Sequence, residues 1–319
     1  MDLELIYAII NVIIDAIKKD PINGIILLAI LLVILFTVSI LSYKKSRLLQ
    51  RLVNFIPFIR KEYVMVVNFS KKEGKINDII KDYMEYGCKA FKLYTFTDFN
   101  KDGTITKEKL ERIVKRQQET IKKAKKIMKN ANSLIYIGFP HVPLGFLDGV
   151  NFTDIDDPIL YEYQGMDSEC LGKGFFELKR IYNTEIEIEQ TLNNYDSLDK
   201  EVVLKIEQSF KINDDDIKKV VNVSSIVSLS SSKIGRWKIT NYAQIDKYQR
   251  EFEKMLTEMK AKGVEKIHLF ATTPVSLSFS LGRVINHYHP EIIVYNYNNG
   301  TFDWGINLQN REIIEPVSQ

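Results

Sequence analysis

The chain is poor in the residues that build disulfide and metal frameworks: its 319 residues include two cysteines and four histidines. Cys88 and Cys170 sit in no CxxC and at no metal-type spacing, which excludes a disulfide scaffold and fits a reducing compartment. His287 and His289 lie two apart, a poor zinc arrangement, and His141 and His268 stand alone. Walker A, GxGxxG, HExxH, GxSxG and paired-carboxylate motifs are all absent. No enzyme class announces itself, so the expectation is a non-catalytic protein without cofactor or metal. The run Asp98-Phe-Asn100-Lys-Asp102-Gly103-Thr-Ile105 resembles the start of an EF-hand loop, but its twelfth position is Lys109 where a bidentate Glu is needed. It reads as a polar turn.

Excess charge is also missing where it would matter for nucleic acid. The whole chain carries +3, and residues 1–60 alone hold seven basic and four acidic side chains, so residues 61–319 sum to zero. Affinity for long nucleic acid rests on phosphate neutralisation. A neutral globular part must instead take any anionic ligand locally, in a pocket.

Charge is absent altogether from residues 25–43, nineteen positions spanning roughly 28 Å as a helix. A transmembrane span is expected here, and Lys44, Lys45, Arg47 and Arg51 after it favour a cytoplasmic location for the rest. Residues 3–17 are apolar but shorter, with Glu4, Ala8, Asn11 and Asp15 on one helical stripe. This segment either lies in the interface or spans and turns the stripe toward partner helices. Pro21 and Gly24 break the two runs, and a two-helix hairpin is the preferred arrangement.

Beyond residue 60 the sequence repeats itself. Residues 133–149 (SLIYIGFPHVPLGFLDG) align with 266–282 (KIHLFATTPVSLSFSLG). At an offset of 133, Leu144 meets Leu277, Phe146 meets Phe279 and Gly149 meets Gly282. Each copy runs into Tyr-x-Tyr (Tyr161-Glu162-Tyr163, Tyr295-Asn296-Tyr297) and then a closing aromatic strand. Upstream, strands at 63–68 and 202–207 precede Lys75-Ile76-Asn77-Asp78 and Lys211-Ile212-Asn213-Asp214. Strands at 90–96 and 221–229 and helices at 107–130 and 244–262 complete the series. Each half reads β-α-β-α-β-α-β, the alternation of a doubly wound open sheet.

Ligands of such sheets bind outside the carboxyl ends of the strands. The loops there are 68–72, 95–99 and 138–141 in the first half and 208–211, 229–237 and 271–276 in the second. Candidate contacts are Ser70, Lys71, Thr95, Thr97, Gly138, Phe139, Pro140 and His141, then Ser209, Phe210, Lys211, Ser230, Ser231, Arg236, Trp237, Ala271, Thr272, Pro274 and Ser276. Hydroxyls and cations suit phosphates, and aromatic faces suit stacked bases. A composite nucleotide pocket shared by both halves is expected.

Residues 263–308 (GVEKIHLFATTPVSLSFSLGRVINHYHPEIIVYNYNNGTFDWGINL) resemble the C-terminal half of a SAVED domain, through Phe270, Pro274, Leu277, Gly282-Arg283, Tyr295 and Trp304. The first half matches more loosely through Gly138-Phe139-Pro140, Leu144, Phe146 and Gly149. The family fuses two CARF-like Rossmann units into a sensor of cyclic oligonucleotides, mainly in bacterial anti-phage CBASS systems. The resemblance implies an α/β fold with residues 63–180 as the first CARF-like half and 181–319 as connector and second half. The segment 1–45 would be the membrane hairpin and 46–62 the linker, as in transmembrane SAVED effectors. It further implies a cyclic tri- or tetranucleotide ligand made by a partner synthase, self-association on binding, and damage to the inner membrane. From the stripe itself, Asn11 and Asp15 are the expected membrane-effector residues, turned inward when several hairpins gather. Departures are His141 opposite Pro274 and a segment, 164–200, without a counterpart. A membrane-tethered ring nuclease is the enzymatic alternative.

Overall fold

In a computed structural model of the chain, β-branched runs and longer amphipathic runs alternate as the sequence predicts. The structure describes residues 63–71, 76–84, 87–128, 133–164, 174–180, 188–191, 199–232, 234–236 and 238–315, with the isolated positions 18, 20 and 131. The expected membrane helices at 3–17 and 25–43, with Asn11 and Asp15, lie outside them, and so do Trp237 and Cys170. Among the described residues no helix is long and apolar enough to cross a membrane.

The first sheet is built from β1 (Tyr63–Phe69), β2 (Lys89–Tyr94), β3 (Ser133–Phe139), β4 (Ile159–Gln164) and β5 (Gly174–Glu177). Between them run α1 (Asn77–Met84), α2 (Lys107–Met128) and α3 (Val142–Val150). The strand order is β2-β1-β3-β4-β5, parallel except for the last pair. β1 and β3 are continuous apolar runs buried almost throughout, as strands covered on both faces must be.

The second sheet repeats that plan. It comprises β6 (Ile188–Thr191), β7 (Glu201–Glu207), β8 (Ile226–Ser231), β9 (Lys266–Thr272), β10 (Glu291–Asn298), β11 (Thr301–Asn307) and β12 (Ile313–Ile314). Its helices are α4 (Asp214–Lys218), α5 (Tyr242–Ala261) and α6 (Val275–Val284). The order β12-β11-β10-β9-β7-β8-β6 contains the first sheet's order, β8-β7-β9-β10-β11, with one strand added at each edge. Part of the segment without a sequence counterpart is the added edge β6, antiparallel to β8. That pairing carries β8 through Ser231, so Ser230 and Ser231 sit in a strand and not in the expected loop at 229–237.

The halves meet through α3 and α6, the most closely repeated segments. A Cβ on Gly149 would lie 2.1 Å from the Phe279 carbonyl oxygen, and one on Gly282 would lie 2.2 Å from that of Phe146. Only glycine permits backbones this close. Tyr136 of β3 stacks on Phe279 of α6 with ring centroids 3.9 Å apart. One apolar core therefore runs through both halves.

A candidate ligand pocket between the two halves

In both sheets the chain reverses direction of winding between the first and third strands, β1/β3 and β7/β9. Ligands of open α/β sheets settle at such switch points. The same backbone bond closes each one: the Lys71 N–H donates to the Phe139 carbonyl at 2.9 Å, and the Ser209 N–H to the Thr272 carbonyl at 2.7 Å. The two switch points open into one cavity of about 670 Å³, large enough for a ligand of several ring systems.

The lining comes from matched positions of the repeat. Val142 and Val275 open α3 and α6, Pro140 and Thr273 precede them, and Tyr163 and Tyr297 are the next-to-last residues of β4 and β10. Lys71 of the first half and Arg236 of the second supply cations. Phe139 and Phe210 add aromatic faces, the Phe210 ring standing 5.3 Å from that of Tyr297. Exposed cations around flat apolar walls suit phosphates and stacked bases.

The symmetry of the frame is broken in its chemistry. Glu162 and Asn296 are the middle residues of the two Tyr-x-Tyr runs, both buried and both lining the cavity. The Glu162 carboxylate accepts the backbone N–H of Ser276 at 3.0 Å and its hydroxyl at 2.5 Å, so an acid of the first half caps helix α6 of the second. Burial pushes this carboxyl upward, opposed by those hydrogen bonds. On the other side, His141 Nδ1 donates to Asn296 Oδ1 at 2.9 Å, while the Asn296 amide donates to Asp303 at 2.9 Å. His141 stacks on Phe99 at 4.4 Å, and burial pulls its imidazole down to about 4, so it is neutral at pH 7.

Of the residues expected at a site, Lys71, Phe139, Pro140, Ser209, Phe210, Arg236, Ala271, Thr272 and Pro274 converge on the cavity. The others stand elsewhere. The Ser70 hydroxyl is buried beneath the pocket and accepts the His141 N–H at 2.8 Å. Ser276 is committed to Glu162, and the Ser231 hydroxyl donates to Gln208 at 3.1 Å. Thr95 is buried, Gly138 lies within β3, and Thr97, Lys211 and Ser230 do not line the cavity. Gly138 has a packing reason to be glycine, since a Cβ there would fall 2.0 Å from the Asn68 carbonyl oxygen.

Glu162, Tyr163, Asn296 and Tyr297 were not expected as site residues. The signal for them is the Tyr-x-Tyr pair itself, which falls at the carboxyl end of the matched strands β4 and β10. The EF-hand-like turn holds itself together: Asp102 accepts the Thr104 N–H and hydroxyl, and Asp98 pairs with Arg116. No cluster of potential metal ligands occurs among the described residues. Burial pushes the Cys88 thiol up to about 12, which makes it a packing residue.

Comparison with known proteins agrees with this architecture. The chain is similar in fold to the Acinetobacter baumannii Cap4 SAVED/CARF-domain receptor with the cyclic trinucleotide 2'3'3'-cAAA, with TM-score 0.50 and 17% identity over 75% of this chain and 50% of that one. The same receptor with 3'3'3'-cAAA gives TM-score 0.48 and 17% identity over 75% and 49%. The Moraxella osloensis Cap4 receptor gives 0.41 and 14% over 74% and 47%. The chain thus spans about half the length of these receptors. No curated protein matches it. The model of the SAVED family, the SMODS-associated and fused to various effectors sensor domain, matches residues 93–308, and with both repeated sheets and their shared cavity inside or adjoining that range, the chain belongs to the SAVED family.

Proposed function

We propose that the chain is a membrane-tethered receptor for a cyclic oligonucleotide, acting in anti-phage defence of the CBASS type. The ligand binds in the cavity between the halves. Binding drives self-association of the soluble parts, which gathers the N-terminal segments and breaches the inner membrane. A partner synthase supplies the ligand, and the sensor part faces the cytoplasm.

The observation that carries the ligand is the cavity itself, which joins one cation and several flat side chains from each half at the strand ends. The cyclic trinucleotide in the Acinetobacter receptor of similar fold supports the ligand class. The uncharged run at 25–43 followed by four basic residues supports the tether and its orientation. Gathering several N-terminal segments raises their local concentration, because a tethered encounter replaces a free one.

The test is calorimetry of the full chain in detergent or nanodiscs against a panel of cyclic di-, tri- and tetranucleotides, followed by mass analysis of the recovered ligand. Saturable binding of one member, recovered intact, is expected. Recovery of linear fragments would instead make the protein a ring nuclease. A reporter at Gln319 found outside the inner membrane would overturn the orientation.

A further inference from the structure

A second groove lies at the opposite end of the first sheet. It encloses about 600 Å³ and is lined by Lys122, Lys125 and Lys126 of α2, with Met128 and Ile155 as its apolar floor. Ser133, where β3 starts, also lines it, and Ser133 pairs in register with Tyr63, where β1 starts. The groove therefore sits on the rim where the chain enters the sheet from its N-terminal segments, away from the strand ends that form the ligand cavity. Lys89, at the start of β2 beside Val64, is exposed on the same rim.

The last turns of α2 read Lys122-Lys123-Ala124-Lys125-Lys126, with Ala124 buried and Lys122, Lys123 and Lys126 exposed. A helix dipole favours a cation or two in the last turn. It does not call for four lysines in five residues around a concavity. Asp154 and Asp156 also line the groove, and Asp154 pairs with Lys125 at 3.0 Å. Lys122, Lys123 and Lys126 make no ion pair among the described residues. With Lys89, they leave the rim with a net positive face.

We propose that this lysine rim is a docking surface for the anionic headgroups of the bilayer to which the chain is tethered. The inference rests on the membrane-tether reading above. From Tyr43, the end of the uncharged run, to Tyr63 is a stretch that reaches roughly 65 Å when extended, so the rim lies within range of the bilayer surface. Lysines beside a membrane anchor are each drawn to an anionic surface. Docking by this rim points the opposite end, with its ligand cavity, into the cytoplasm.

The test uses the full chain in nanodiscs of phosphatidylcholine alone or with phosphatidylglycerol, acetylated briefly with an amine reagent and read lysine by lysine. Lys122, Lys123 and Lys126 should be protected at least about fivefold in the anionic discs, with protection lost at high salt. Lys101, exposed at the other end of the sheet, should react equally in both. Lys122→Glu with Lys126→Glu should remove the protection of Lys123. Equal labelling of a chain that enters both discs would overturn the docking surface and leave the tether intact. Protection by a short nucleic-acid duplex in place of anionic lipid would overturn it too. Failure to enter either disc would overturn the tether and the surface together.

Discussion

Gly149 and Gly282 face each other where helices Val142–Val150 and Val275–Val284 cross, each so close that its missing Cβ would meet the partner helix's backbone. They are the same residue of the repeat, seen once in each half. The crossing is reciprocal: Gly149 abuts Phe279 and Gly282 abuts Phe146. The seam that holds the ligand cavity together thus depends on two missing methyl groups.

Gly149→Ala or Gly282→Ala should each lower stability by about 2–3 kcal/mol, because backbone cannot yield as a side-chain tip can. Thermal unfolding of the variants would read this. Gly145→Ala is the control. Its Cβ would meet the Ser278 side chain at 3.1 Å, a milder contact, and the loss should stay within about 1 kcal/mol.

Much of this was legible in the sequence, and the parts that were not share a cause. The repeat, its order of strands and helices, and the matched glycines could be read because local patterning and the repeat agree. The strand Ile188–Thr191 escaped because it is a short edge strand without a counterpart, and with it the true extent of Ile226–Ser231. Hydroxyls at strand ends carry two meanings that a sequence does not separate, ligand contact and internal hydrogen bonding. Ser70, Ser231 and Ser276 are consumed internally, satisfying buried partners that the sequence does not reveal. Glu162 carries no local signal, because the importance of a single acid depends on what lies opposite it, here the start of a helix from the other half.

Glu162→Ala should cost about 2–3 kcal/mol, since the Ser276 N–H and hydroxyl and the Tyr163 N–H lose their buried acceptor. Glu162→Gln keeps an acceptor and should cost less than half as much. Equal losses in chemical denaturation would show that the bonds to Ser276 do not hold the seam.

Two buried groups set opposing pH dependences. His141 is depressed from 6.5 to about 4 by burial, so its contribution is present above pH 6.5 and lost as pH falls through about 4. Asp148, between Asn68, Gln117 and Tyr136, is raised from 3.8 to about 6 by burial. Its contribution is present below pH 3.8 and lost as pH rises through about 6. Between pH 4 and 6 the two offset each other. Asp148→Asn should unmask the histidine, with stability falling by up to about 3 kcal/mol from pH 6.5 to 4, whereas His141→Gln should reverse the slope. Denaturant titrations at stepped pH would show both.

In the proposed function, Glu4, Asn11 and Asp15 act in membrane damage and not in ligand affinity. Asn11→Leu with Asp15→Leu should leave the dissociation constant unchanged and abolish ligand-dependent dye leakage. If the double variant leaks as the parent does, damage comes from residues 25–43.

The central claim is that one ligand is gripped by both halves at once, and calorimetric titration of the tightest-binding cyclic oligonucleotide into Lys71→Ala, Arg236→Ala and Lys211→Ala tests it. Lys71 and Arg236 line the cavity from different halves, and Lys211 stands outside it. Each of the first two variants should lose about 1.5–3 kcal/mol of binding, the value of a charge-assisted contact to phosphate, and Lys211→Ala should bind as the parent does. Unchanged affinity in both Lys71→Ala and Arg236→Ala would contradict the shared pocket.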